Sequence, residues 1–253
     1  MKPVSEKFRK FPVRTYEEYV IDEQELQENP ECRTPVILCV DCSYTMMSRL
    51  TSVRRGLENF CREMEEDPVA GSSVELCIVN CGGDESWVEV DFTPPGSFTI
   101  PELKAAGGTP LGDGVETALY NLERRRGDYQ RNGVNNYRPW LIIIGDSGRT
   151  DPVDRAAARL REEQAAGRLN VICILADDPR TPEEREKARD SSLMALAPDG
   201  RLHCLRDMNF KELFGWLSRS IRSISNSISG EEASMAPTSS WDQSIKRSDT
   251  YTG

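Results

Sequence analysis

The chain has 253 residues, with 42 acidic against 32 basic side chains, a net charge of −10 at pH 7 and one histidine. That length carries one α/β domain with a full core and some excess at its ends. The acidic balance removes the broad footprint of a nucleic-acid binder, the lone His203 gives no support to a Ser-His-Asp triad, and no stretch approaches the ~20 apolar residues of a membrane span.

Residues 1–33 are polar and read as an N-terminal extension packing on the domain, with Tyr16, Tyr19, Val20 and Ile21 as anchors. Met1 to Arg14 is mixed basic and polar rather than a signal peptide, so the expected location is cytoplasmic, with no nucleic-acid and no membrane partner. The first strand is expected over 35–41, and a helix over 48–66 follows, with Leu50, Val53, Leu57, Phe60 and Met64 on one stripe. Residues 74–80 read as a strand, and Trp87 to Phe92 as a short edge strand joined to it through Gly82-Gly83-Asp84.

Thr93 to Gly108 is rich in Pro and Gly and reads as a loop. A helix is expected over 111–126, and the triplet Arg124-Arg125-Arg126 at its end reads as a solvated face. Leu141 to Asp146 is a continuous apolar run, as a parallel strand covered on both faces requires. Helices over 152–166 and 182–196, strands over 169–176 and 201–205, and a final helix over 209–226 complete the alternation. The last helix offers Phe210, Leu213, Leu217, Ile221 and Ile224 to the core. This order predicts an α/β fold, a doubly wound, mostly parallel sheet with one antiparallel edge strand and helices on both faces. The domain is expected over 34–228, and 229–253 as a flexible C-terminal tail by its Gly, Ser, Thr and Pro content. Within that tail Trp241 has an alternative, docking back onto the domain or onto a partner.

Eight cysteines lie at 32, 39, 42, 61, 77, 81, 173 and 204. Cys39, Cys77 and Cys173 fall inside apolar strands, where a free thiol packs as a small hydrophobe. The pairs Cys39/Cys42 and Cys77/Cys81 straddle strands rather than knuckle turns, which argues against a zinc clip.

The chemistry concentrates at Asp41-Cys42-Ser43-Tyr44-Thr45, at the end of the first strand. One carboxylate and two hydroxyls at the C-terminal end of a buried parallel strand lie where open α/β sheets hold ligands. Oxygen donors suit a hard divalent cation. Thr109 in Gly107-Gly108-Thr109-Pro110, and Asp146 at the end of a second apolar strand, can complete the set. Each piece also has a structural reading. Ser43 can cap a helix, and Thr109-Pro110 is a common helix start. Asp151, Asp113 and Glu116 read as helix-start residues rather than ligands.

With Asp41, Ser43, Thr45, Thr109 and Asp146 in that order, the chain resembles the von Willebrand factor A domains. Their metal-ion-dependent adhesion site is written Asp-x-Ser-x-Ser/Thr, then a distant Thr, then a distant Asp. Flanking stretches resemble the bacterial tellurite-resistance TerY-type branch over about residues 16–229. They are Glu28 to Pro35, Gly107 to Gly112, Tyr137 to Trp140, Arg149 to Asp151 and Leu213 to Ser218.

The resemblance implies a non-enzymatic interaction module holding Mg²⁺ or Mn²⁺, ahead of Ca²⁺, on those five residues. The bound ion would capture an Asp or Glu of a partner protein, with Tyr44 beside it as a partner-binding side chain. It also implies a bacterial stress or tellurite-resistance system with a kinase and a phosphatase as partners, and makes the Ser and Thr residues from Ser218 to Ser229 and in the tail candidate substrates. Two departures stand out: Tyr44 occupies a usual glycine, and Gly145-Asp146-Ser147 replaces Thr-Asp-Gly. They leave open a scaffold with a degenerate site that binds partners without metal. A metal-dependent phosphohydrolase is the further alternative, but Ser43 stands where its second carboxylate belongs.

Overall fold

The computed structural model describes residue 29, residues 31–225 and residues 235–247. The expected anchors Tyr16, Tyr19, Val20 and Ile21 lie outside the described residues.

Seven strands form one sheet: β1 (Thr34–Asp41), β2 (Val74–Gly82), β3 (Glu85–Thr93), β4 (Trp140–Gly145), β5 (Asn170–Leu175), β6 (Arg201–Cys204) and β7 (Ile245–Lys246). Their order is β3-β2-β1-β4-β5-β6-β7. Neighbours from β2 to β6 pair in parallel, and β3 and β7 close the two edges antiparallel. The sheet is therefore the mostly parallel, doubly wound one expected, with a second antiparallel edge that the sequence reading lacked.

The helices are α1 (Met47–Glu65), α2 (Pro68–Ser73), α3 (Leu111–Asn132), α4 (Asp154–Ala165), α5 (Pro182–Arg189), α6 (Ser192–Leu196) and α7 (Phe210–Ser225). Strand parity assigns their faces. Val36, Leu38 and Val40 of β1, with Leu76, Ile78, Ile142 and Ile144, bury against α1 and α7. Ile37 and Cys39, with Cys77, Val79, Leu141 and Ile143, bury against α3 and α4. Both faces of the central strands are covered, which is why their sequences read as unbroken apolar runs.

Three expectations are corrected. The expected helix over 182–196 is two, each with its own side-chain cap, because Ser191 starts the second. The short helix α2 was not foreseen, although Asp67 accepts from the amides of Val69 and Ala70 and Pro68 opens the first turn. The arginine triplet is no solvated face: Arg125 is buried on Glu75, Arg124 pairs with Asp91 and Asp128, and Arg126 with Glu163. The helix runs on to Asn132, so the turn carrying Arg125, its fourth, faces the sheet instead of ending there.

The tail is also corrected over 235–247, which packs on the β6 edge. Trp241 is fully buried, 5.3 Å from the Trp216 ring and 5.7 Å from His203. Asp242 accepts from the Cys204 amide and bonds His203 Nδ1 at 2.8 Å, which makes His203 a satisfied structural histidine. Polar composition averaged over the segment hid two apolar anchors, Trp241 and Ile245, spaced to grip one edge. In α7, Phe210, Leu213, Leu217 and Ile221 are buried as expected, whereas the side chain of Ile224 lies outside the described residues. Ser218 and Ser220 are fully buried, with Ser218 Oγ on the Phe214 carbonyl and Ser220 Oγ accepting from the Ala236 amide. Neither is open to a kinase in the folded chain, which narrows the expected substrate set.

Candidate metal centre

The sheet order places the crossover reversal between β1 and β4. From β1 the chain winds to β2 on one side, and from β4 it winds to β5 on the other. The crevice outside the C-terminal ends of these two strands is the topological switch point, where open α/β sheets take ligands. Asp41 ends β1, and Asp146 follows β4 directly.

Asp41 is fully buried and continues the parity of Ile37 and Cys39, toward α3. Its Oδ1 accepts the Ser43 amide at 2.8 Å, and its Oδ2 lies 3.4 Å from the Asp146 amide. Gly145 makes that approach possible, since a Cβ there would lie 2.9 Å from the Asp41 Cβ. Burial chiefly raises the Asp41 carboxyl above its ordinary value, and Asp146 adds to this, against bonds from Ser43 that lower it. A carboxyl raised on folding contributes stability at acid pH that is lost as pH rises through the raised value.

Ser43 Oγ and Thr45 Oγ1 are 2.9 Å apart. Arg49 holds the Thr45 carbonyl through Nη1 at 2.8 Å and reaches Asp177 with Nη2. The loop is further pinned by Cys42, whose amide bonds the Cys81 carbonyl and whose carbonyl accepts from Ala106. The Cys42 side chain is buried under α1, and its thiol is pushed far up by burial first and Asp41 next, which disfavours the reactive thiolate.

Thr109 enters from the loop before α3. Its carbonyl accepts from Thr150 and Leu111, while its hydroxyl bonds to no side chain or backbone group among the described residues. The Gly148 amide donates to Asp146 Oδ1 at 2.7 Å. A Cβ on Gly148 would lie 3.0 Å from that oxygen and 3.8 Å from Thr109 Oγ1, so both oxygens line the same small space. The structure thus brings all five predicted residues to one rim.

It also removes the helix-cap readings of the hydroxyls. Ser43 makes no side-chain cap bond, and the residue at the α3 cap position is Pro110. The α3 N-terminus is capped from outside by Asp151, which accepts the Gly112 amide at 3.0 Å and the Asp113 amide at 2.7 Å. Asp151 was expected to cap its own helix; it serves the neighbouring one and so fixes where Thr109 sits. Asp113 is likewise engaged, accepting from Ser86. Gly114 seats the first turn of α3 directly on the buried thiols of Cys81 and Cys39. Gly114→Ala is therefore expected to lift that turn and cost about 1–3 kcal/mol, read as a lower urea midpoint. An unchanged midpoint would contradict this packing.

The donor set can be tested against a hard cation. At magnesium–oxygen distances of 2.0–2.1 Å, neighbouring ligands of an octahedron lie about 3.0 Å apart, and the Ser43 and Thr45 hydroxyls match that spacing. Among the described residues there is no cluster of three or more His, Cys, Asp and Glu able to hold a metal. A centre made of two carboxylates and three hydroxyls does not need one. Tyr44, 63% exposed, and Met47, 59% exposed, stand beside the loop.

The sequence matches no protein-family model and no curated protein. Solved structures are similar in fold. The pilus adhesin SpaC from Lactobacillus rhamnosus GG, in its open conformation, aligns with a TM-score of 0.50 at 15% identity, covering 78% of this chain and 31% of that one. The PilB minor pilin from Streptococcus sanguinis aligns with a TM-score of 0.52 at 10% identity, covering 76% and 62%. The SpRpn10 VWA domain aligns over 68% of this chain and 86% of that one, at 14% identity and a TM-score of 0.42. The chain spans less than two thirds of either pilus protein, and at these identities the likeness is one of fold alone.

Proposed function

We propose that this chain is a von Willebrand factor A-type interaction module that captures an acidic side chain of a partner protein through a divalent cation at the β1/β4 switch point. The reading rests on one observation above others. Two hydroxyls at cis-ligand spacing and a third without a protein partner face two carboxylates at the site where the fold places ligands.

Ser43, Thr45 and Thr109 would hold the cation as neutral donors. Asp41 and Asp146, which already fix the loop amides, would orient the donors and bound waters. A bound Mg²⁺ or Mn²⁺ surrounded mainly by neutral oxygens supplies an electrophilic position that favours an incoming carboxylate. Tyr44 and Met47 then offer exposed apolar surface to whatever flanks that acid. No reaction is assigned. Ser43 lacks the proton-transfer capacity of a second carboxylate, and His203 is committed to Asp242 on the far edge of the sheet. Membership of the tellurite-resistance TerY-type branch, and a kinase and phosphatase as partners, rest on the sequence resemblance. No helix among the described residues is long and apolar enough to cross a membrane.

Melting curves test the reading. At a hundredfold excess over Kd, Mg²⁺ should stabilise the chain by about 2.7 kcal/mol, or about 5–10 °C at this size. Asp41→Ala and Thr109→Ala should abolish the shift. A chain that melts identically with and without Mg²⁺ or Mn²⁺ would instead be the metal-independent scaffold.

A further inference from the structure

Between α1 and α7 runs a groove of about 320 Å³ whose charge is opposite to that of the molecule. Arg55 and Arg62 of α1 and Lys211 and Arg219 of α7 line it, against Glu63 and Glu212. None of the four cations has an ion pair among the described residues; Arg62 only donates to Asn59. Other arginines of the surface helices and loops are ion-paired, among them Arg124, Arg126, Arg159, Arg168 and Arg180. Four cations against two carboxylates, none of them ion-paired to one another, on a protein of net charge −10 call for an anionic occupant.

The sequence holds one such occupant. Residues 16–28, Tyr-Glu-Glu-Tyr-Val-Ile-Asp-Glu-Gln-Glu-Leu-Gln-Glu, carry six acids and no base, interleaved with apolar side chains. They lie outside the described residues, but the point where the chain enters the fold is fixed. Asn29 Nδ2 donates to the Ser72 carbonyl at the end of α2. That helix follows α1 directly, and Arg222 of α7 reaches both the Glu63 carbonyl and Asp67 there. The groove thus opens beside the entry point. Its floor spans Arg55 to Glu63, about 12 Å of helix, whereas thirteen extended residues reach about 40 Å.

We propose that the α1/α7 groove is the docking site of this chain's own acidic segment, Tyr16–Glu28, held in the same molecule by Arg55, Lys211 and Arg219. The site lies on the α1/α7 face and involves none of the metal-centre residues, so it stands apart from the metal reading.

Limited proteolysis of the full chain tests it, with chymotrypsin cleavage after Tyr16 and Tyr19 followed by mass spectrometry. Protection reports the population of the undocked segment when docking is fast. Three exposed ion pairs together are worth about a factor of ten. Reversal of the groove, Arg55→Glu with Lys211→Glu and Arg219→Glu, should therefore speed cleavage about tenfold at an unchanged melting temperature. Adding Glu17→Lys, Glu18→Lys and Asp22→Lys to that variant should restore protection. The single change Arg219→Glu serves as a milder variant if the triple one melts early. Unchanged cleavage on groove reversal, or failure of the charge swap to restore protection, would overturn the proposal. So would protection that appears only at high protein concentration, since the segment would then dock on a second copy.

Discussion

Glu75→Gln is expected to lower the free energy of unfolding by about 3–5 kcal/mol. Glu75 sits on β2 at 3% exposure and gathers two guanidiniums. Arg125 binds it with both Nε and Nη2, at 2.8 and 2.6 Å, Arg33 Nε lies at 3.3 Å, and the Tyr129 hydroxyl donates to it. Arg33, Arg125 and Tyr129 are themselves buried. The amide would keep the shape and remove the charge, leaving buried Arg33 without a counter-ion and buried Arg125 with only Asp128, 4.0 Å from its Nη1. Burial works against the charged guanidinium of Arg125, but its bonds to Glu75 outweigh this and raise its pKa.

A contrast separates pairing from packing. Replacing Arg33, Glu75 and Arg125 together by Met, Leu and Met should recover most of the loss, since an apolar cluster of similar volume carries no desolvation penalty. The same cluster has an alkaline limit. Burial first, and the Glu75 charge next, hold the Tyr129 hydroxyl well above its ordinary pKa. An acid raised on folding gives stability that is complete below its unfolded value, about 10, and declines as pH rises through the folded one. Urea midpoints above pH 10 should fall less steeply for Tyr129→Phe than for the natural chain. A loss under about 1 kcal/mol for Glu75→Gln would show that water reaches the cluster.

Trp241→Ala should cost a similar amount, about 3–5 kcal/mol. The Trp241 ring is sealed between Trp216 and His203, and its carbonyl accepts the Arg206 amide. Trp216 in turn donates through Nε1 to the Ala236 carbonyl. Losing the ring opens a cavity under the strap and releases β7 from Arg201 and Leu202. Urea unfolding monitored by fluorescence, together with faster cleavage within 235–247, would report both effects. A variant as stable as the natural chain would mean that the strap adds nothing to the core.

Much of the fold is legible in the residues. The runs Val36–Val40 and Leu141–Ile144 can satisfy only strands buried on both faces, and the loop at Asp41–Thr45 carries its oxygen donors within five residues. What joins that loop to Thr109 and Asp146 is not local. It depends on the register of β1 against β4 and on Asp151 reaching across to cap α3, neither of which leaves a periodic trace. The arginine triplet misled for a related reason. Nothing in the helix itself discloses that Arg125 meets a carboxylate placed inside a strand 50 positions earlier. The strap was hidden by its composition, since two anchors in a Ser- and Thr-rich segment carry the binding while the other residues only connect them.

The central claim is that three hydroxyls and two carboxylates at the β1/β4 switch point form a cation site. Anomalous scattering from crystals of the full chain grown in saturating Mn²⁺ tests this most directly. One peak is expected, bounded by the hydroxyl oxygens of Ser43, Thr45 and Thr109 and absent from Thr109→Ala crystals. A clear map at this crevice with no peak, or a peak held by other residues, would contradict it.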